Sequence, residues 1–143
     1  MLLAGSNDFG AYTGEILKAE GFNEFFTDSA ESKKISRSFL AQFDLIILTE
    51  QTDDRQTWNL LRKYIRGGGN LIAIQPDQAH AGLFGIEKMP GKTGTSYIAI
   101  DTSSAEGKSL TGKRIQIHVI AERFSLKTGK AVAWFCNKTD SEY

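Results

Sequence analysis

The sequence predicts an α/β fold with a mostly parallel sheet, because strand-like and helix-like segments alternate through its first half. Residues 43–48 and 70–74 are apolar runs rich in branched side chains, which is typical of strands buried on both faces of a parallel sheet. Between them, Trp58, Leu61 and Ile65 recur at helical spacing. A helix between two such strands indicates a right-handed crossover and helices that cover both faces of the sheet.

The parallel sheet is predicted to contain strands at residues 2–4, 23–27, 44–48 and 71–74. Tyr12 and Ile16 recur at helical spacing after the first strand, and we expect that helix to end at Gly21. The helix before the fourth strand has Thr52 or Asp53 as its predicted N-cap. Polar residues 28–38 show no clear period and are expected to form a loop or a weak helix.

The second half of the chain is predicted to be mainly β. Three strand-like runs lie at residues 96–100, 114–120 and 131–135, and we expect them to extend the sheet of the first half. A length of 143 residues suits one domain. Met1 lies directly before the first strand, which predicts that the sequence is a piece of a longer chain. The sheet is then expected to have an incompletely paired edge, through which the protein could form a homo-oligomer.

Composition excludes several classes of partner. Seventeen basic and seventeen acidic residues give zero net charge, so neither nucleic acid nor an anionic membrane surface is an expected partner. No apolar stretch approaches the roughly 20 residues that span a bilayer, which predicts a soluble protein. Cys136 is the single cysteine and cannot form an internal disulfide, so the cellular compartment stays open.

Four segments carry a resemblance to a known family: residues 2–5, 43–48, 64–73 and 118–124. Together they resemble the class I glutamine amidotransferase-like superfold, in particular the trehalose-utilisation (ThuA-like) group and related bacterial domains. The fixed order of helix, glycine stop at 67–69 and buried strand carries most of this likeness. The resemblance implies a flavodoxin-like, three-layer fold and a single amidotransferase-like domain over residues 1–143.

The residues that would perform glutaminase chemistry are missing. Active members of this class carry a cysteine nucleophile in a G-x-C-x-G elbow directly after a strand. Here residues 71–74 run into Gln75-Pro76-Asp77, without a cysteine, a serine or a flanking glycine, and proline lacks the N–H that an oxyanion hole would use. The resemblance therefore implies a non-catalytic module that binds a partner or a polar ligand such as a carbohydrate.

An enzyme that does not use cysteine is the alternative. A hydrolase-like protein acting on a sugar or an amide would use Asp77, His80, His118 or Glu122, and at least two of these side chains would have to converge in one pocket. The resemblance places Glu122 and Arg123 at a ligand cleft, whereas a surface ion pair explains them equally simply.

Ordinary structural roles account for the other reactive side chains. Cys136 ends an apolar run and is expected to be a buried, inert thiol. His118 alternates with apolar residues and is expected to be a strand residue that faces solvent or makes a hydrogen bond. His118 and His80 lack the tight spacing of zinc ligands, so neither a metal nor a cofactor is predicted.

The turn after the first strand resembles a nucleotide loop only in outline. Ala11 and Tyr12 stand where a Walker loop needs lysine and a hydroxyl, and Asn7 replaces the second glycine of a dinucleotide loop. In a flavodoxin-like order this turn lies beside the end of the third strand, so both could contact a polar ligand. Asn7 or Asp8 capping the first helix is the competing explanation. The candidate ligand-binding residues are Ser6, Asn7, Asp8, Glu50, Gln51, Asp77, His118 and Glu122.

Overall fold

The structure, a computed structural model, describes residues 1–4, 8–30, 32–49 and 52–137. Its backbone contacts divide the chain into two units, Met1–Asp77 and Gln78–Tyr143. The first unit combines helices with a parallel sheet, and the second consists mainly of antiparallel strands. That residues 1–143 are one amidotransferase-like domain, and a piece of a longer chain, stays a prediction.

A parallel sheet organises the first unit. Its strands are β1 (Leu2–Ala4), β2 (Thr27–Ser29), β3 (Leu45–Leu48) and β4 (Asn70–Ala73). Within the described residues they pair in the order β2-β1-β3-β4, and every pairing is parallel. The predicted α/β class and the parallel sheet are confirmed. β2 begins at Thr27, whereas residues 23–27 were expected. Directly before it, the Phe26 carbonyl accepts a hydrogen bond from the Leu2 N–H at 2.7 Å, and the Phe26 ring lies 5.6 Å from the ring of Phe39.

Three helices accompany this sheet in the described part of the chain: α1 (Phe9–Ala19), α2 (Arg37–Leu40) and α3 (Arg55–Arg66). The predicted end of α1 is confirmed, since Gly21 has φ of 91° and donates its N–H to Lys18, while Phe22 donates to Leu17. These two bonds form a Schellman motif, which satisfies carbonyls left free at the helix end.

Glycines form the side of α1 that packs on the sheet. Gly10 and Gly14 are buried, and a Cβ at Gly14 would lie 3.6 Å from Leu2, so the helix approaches β1 through its glycines. Tyr12 and Ile16, whose helical spacing predicted this helix, are exposed. Helical spacing identified the helix but not the side that contacts the sheet.

The N-cap of α3 is Asp54, which corrects the prediction of Thr52 or Asp53. The Asp54 carboxylate accepts hydrogen bonds from the backbone N–H groups of Gln56 and Thr57 at 3.1 and 2.9 Å. Thr52 lies outside the helix, where its hydroxyl accepts from the Asp54 N–H and its carbonyl accepts from the indole of Trp58. Because Asp54 can reach two free donors of the first turn, it caps the helix best.

One face of β3 is the more deeply buried. Ile46 and Leu48 are fully buried, as are Trp58 and Leu61 of α3. The opposite face is less covered, because Leu45 is 38% exposed and Ile72 of β4 is 49% exposed. The expectation that these strands are buried on both faces is therefore wrong for β3 and β4 in this chain.

Two antiparallel sheets organise the second unit. Its elements are a 3₁₀ helix (Ala81–Phe84), β5 (Ile86–Thr93), β6 (Ser96–Ile100), β7 (Ile115–Ile117), β8 (Ala121–Leu126) and β9 (Ala133–Cys136). Among the described residues β5 pairs with β8, and β6 lies between β7 and β9. The expectation that the later strands extend the parallel sheet is therefore wrong. Among the described residues no helix combines the length and apolar character needed to cross a bilayer.

Candidate functional site

The carboxyl ends of β1 and β3 lie side by side at one edge of the parallel sheet. Thr49, directly after β3, donates its backbone N–H and its hydroxyl to the carbonyl of Leu3, at 3.0 and 3.2 Å. From β1 the chain continues towards β2 on one side, and from β3 it continues towards β4 on the other. Open α/β sheets bind ligands where the strand order diverges in this way.

Asp8 is the one predicted ligand residue of the first turn that the structure describes. It precedes α1 at the N-cap position, is exposed, and makes no capping hydrogen bond with its side chain. The competing explanation, that the side chain of Asp8 caps the helix, is therefore wrong for Asp8. Four further candidates lie outside the described residues: Ser6, Asn7, Glu50 and Gln51.

The end of β4 has a strained backbone. Ile74 still donates its N–H to Leu48 of β3 at 2.9 Å, and Gln75 then turns away with φ of 51°. Within the described residues Gln75 is the single non-glycine residue with positive φ, a conformation that L side chains rarely adopt. Asp77, another predicted site residue, is half-buried two positions later and ends the first unit.

The second unit contains a cleft of about 880 Å³. Its walls come from β5, β6, β8 and β9, and its aromatic lining comprises Phe84, Phe124, Trp134 and Phe135. This volume lies within the range of small-molecule sites, which are mostly apolar with a few polar groups. Glu122, a predicted site residue, is one of the polar side chains in the wall.

Glu122 is held between two lysines of β5. Its carboxylate lies 3.1 Å from the Nζ of Lys88 and 3.3 Å from the Nζ of Lys92. The bond from Lys88 is the main cause that holds the pKa of Glu122 below its ordinary value, with Lys92 acting in the same direction and partial burial opposing both. A carboxylate in this state is ionised and is not poised to accept a proton near neutral pH.

An irregularity in β5 brings both lysines to the same carboxylate. Lys88 lies opposite Phe124 and Lys92 lies opposite Glu122, so three residues of β5 bulge across from one residue of β8. Phe124 and Glu122 are two residues apart and share a face of the strand. The two lysines therefore reach Glu122 from opposite ends of the bulge.

The remaining predicted residues lie apart from this cleft. His118 is exposed, but it lies just after β7, which ends at Ile117, so its predicted place on a strand at residues 114–120 is wrong. Neither His118 nor His80 lines this cavity or its smaller neighbour around Lys88 and Lys92. Cys136 is buried, as expected, and its thiol lies 3.7 Å from the carbonyl of Tyr97. Across the part of the chain that the structure describes, no group of three or more His, Cys, Asp or Glu side chains is placed to hold a metal ion.

A scan against protein-family models finds no match to this chain, and neither do searches of curated proteins and of solved structures. The resemblance to the amidotransferase-like superfold and to its ThuA-like group therefore remains a hypothesis based on the residues alone.

Sequence reasoning missed the strands β5 and β8 and the lysines that face Glu122. Pro90-Gly91 lies in the middle of β5 and gives a turn signal, which conceals the strand. The same dipeptide lies in the bulge. No local pattern indicates that Lys88 and Lys92 meet a residue some thirty positions later, because this contact depends on the pairing of β5 with β8.

Proposed function

We propose that this chain is a non-catalytic amidotransferase-like module that binds a polar ligand, with carbohydrate as the favoured class, or a partner protein. Its binding site is the edge of the parallel sheet where β1 and β3 end. Asp8, directly before α1, is its described residue, and Asp77 follows β4. The candidates Ser6, Asn7, Glu50 and Gln51 belong to the same proposal and lie outside the described residues.

The strand order is the observation that carries this proposal. β2-β1-β3-β4 corresponds to the first four strands of the flavodoxin-like order 2-1-3-4-5. In that order the ligand crevice lies between the first and third strands, because the crossovers leave them in opposite directions. The bonds from Thr49 to the Leu3 carbonyl support a well-defined crevice, since they hold the two strand ends together.

The backbone at the end of β4 supports the proposal that the module is non-catalytic. A nucleophile elbow is a strained turn after a strand, and Gln75 has the positive φ expected of such a turn. Its side chain is an amide, which is not a nucleophile, and Pro76 follows without an N–H to donate. The strained turn is therefore present without the groups that would perform acyl transfer.

The binding part is tested by titrating neutral monosaccharides and disaccharides into ¹⁵N-labelled protein. We expect saturable amide shifts at Asp8, Thr49 and their neighbours. Asp8→Ala should weaken these shifts at least several-fold while leaving the spectrum of the folded protein intact, because the Asp8 side chain makes no capping bond.

Glu20→Ala is the matched control, since Glu20 is an exposed carboxylate at the opposite end of α1. This variant should bind as the wild type does. Equal binding by Asp8→Ala and wild type, or shifts confined to the second unit, would reject the edge of the parallel sheet as the site.

A further inference from the structure

Two cavities adjoin in the second unit. The apolar cleft of about 880 Å³ and a smaller cavity of about 480 Å³ share Met89 and Glu122 in their walls. The smaller cavity is lined in addition by Lys88 and Lys92, on either side of the bulge in β5. An apolar space and a basic space therefore meet at one boundary.

The basic space is incompletely neutralised. Lys88 and Lys92 contribute two positive charges and Glu122 contributes one negative charge, which leaves one positive charge. Each ammonium group has three N–H donors and uses one of them towards Glu122. Both lysines can therefore bind a further anionic oxygen without releasing the carboxylate.

The large cleft favours an apolar ligand body. Phe124, Trp134 and Phe135 supply flat aromatic surfaces, and Ile86, Ile98 and Leu126 supply aliphatic ones. A neutral sugar would leave many of its hydroxyl groups facing these side chains without hydrogen bonds, which is unfavourable.

We propose that this double cavity binds an amphipathic organic anion, whose aromatic or aliphatic body occupies the cleft while its carboxylate or sulfonate lies between Lys88 and Lys92. The proposal concerns a different place and a different ligand class from the edge of the parallel sheet. Its failure would leave the proposed function unaffected.

Isothermal titration calorimetry with 2-naphthoate and its neutral isostere 2-naphthamide tests this inference. We expect 2-naphthoate to bind one-to-one with a dissociation constant below about 1 mM. The amide should bind with a dissociation constant about tenfold higher or more. The affinity for 2-naphthoate should fall as salt is added, because the contact is partly exposed. Absence of saturable binding, or equal affinity for both probes, would overturn the proposal.

Two variants, expected to change the affinity for 2-naphthoate in opposite directions, test where its anionic group binds. The double variant Lys88→Gln/Lys92→Gln should weaken 2-naphthoate binding by about tenfold and leave 2-naphthamide unchanged. Glu122→Gln should strengthen 2-naphthoate binding, because the bound anion would no longer lie beside the negative charge of Glu122, and the net positive charge of the cavity would rise from one to two. This gain also separates the effect from a loss of folding, since a misfolded variant would not bind more tightly.

Lys127→Gln is the matched control, because Lys127 pairs with Glu87 and lines neither cavity. It should bind 2-naphthoate as the wild type does. If Lys127→Gln and the double variant lost binding equally, the loss would reflect only the overall charge of the protein, and the proposed site would be rejected.

Discussion

The phenol of Tyr64 donates a hydrogen bond to the backbone carbonyl of Phe43, with 2.7 Å between the two oxygens. This bond ties the end of α3 to the chain just before β3. A Cβ at Gly69 would overlap the Tyr64 ring, so the ring lies against a position that only glycine can occupy. Gly68, with φ of 92°, and Gly69 donate to Ile65 and Tyr64 and complete the helix end. The glycine stop therefore both ends the helix and makes room for the tyrosine.

Tyr64→Phe should lower the free energy of unfolding by about 1 kcal/mol, because it removes the phenol O–H and leaves the half-buried carbonyl of Phe43 without this donor. Urea denaturation followed by circular dichroism measures the change. Tyr12→Phe is the control, since Tyr12 is 57% exposed, and it should change stability little. Equal stability of the two variants would contradict a stabilising role for the bond.

The Asp54 cap should make stability depend on pH. The hydroxyl of Thr57 and the backbone N–H groups of Thr57 and Gln56 lower the pKa of Asp54 in the folded protein. A lowered folded pKa stabilises the fold above the ordinary Asp pKa of about 3.9, and this contribution is lost as pH falls through the folded pKa. Asp54→Asn should therefore be less stable than wild type near pH 7, and the difference should shrink below about pH 4.

Thermal unfolding of both proteins across this pH range measures the effect. Asp53→Asn is the control, because Asp53 is exposed and does not cap the helix. It should follow the wild type at each pH. If the difference in thermal stability between wild type and Asp54→Asn stayed constant with pH, the charge of the Asp54 side chain would contribute nothing to stability.

The stability of variants at position 75 should depend on how well the new residue adopts positive φ. Gln75→Val should be less stable than Gln75→Gly by about 1–2 kcal/mol, because a β-branched residue fits positive φ poorly whereas glycine adopts it freely. Chemical denaturation compares the two variants. The same substitutions at Gln78, an exposed residue without positive φ, should not favour glycine. Valine as stable as glycine at position 75 would argue against a strained turn.

The chain should release no ammonia from glutamine above the uncatalysed background between about pH 6 and 9, the range in which a reactive thiolate would form. Cys136 is buried at the end of β9, and the proposed function gives its thiol no role. A coupled glutamate dehydrogenase assay on wild type and Cys136→Ala measures this. Turnover that disappears in Cys136→Ala would refute the non-catalytic proposal.

Local rules of the chain determined much of the first unit. Apolar runs predicted the positions of β3 and β4, and glycine positions predicted the ends of α1 and α3, because strand propensity and helix termination depend on neighbouring residues. The burial of Trp58 agrees with its helical spacing from Leu61 and Ile65, and the burial of Cys136 with its place at the end of an apolar run. These features need no knowledge of distant contacts.

Only the tertiary structure decided the residues that meet in the second unit. Lys88 and Lys92 reach Glu122 because β5 pairs with β8 around a bulge, and no short-range pattern encodes that register. The positive φ of Gln75 and the exposure of Ile72 likewise depend on how the chain leaves β4 and on what covers it. Periodicity specifies the type of an element, whereas pairing between distant segments specifies which side chains share a site.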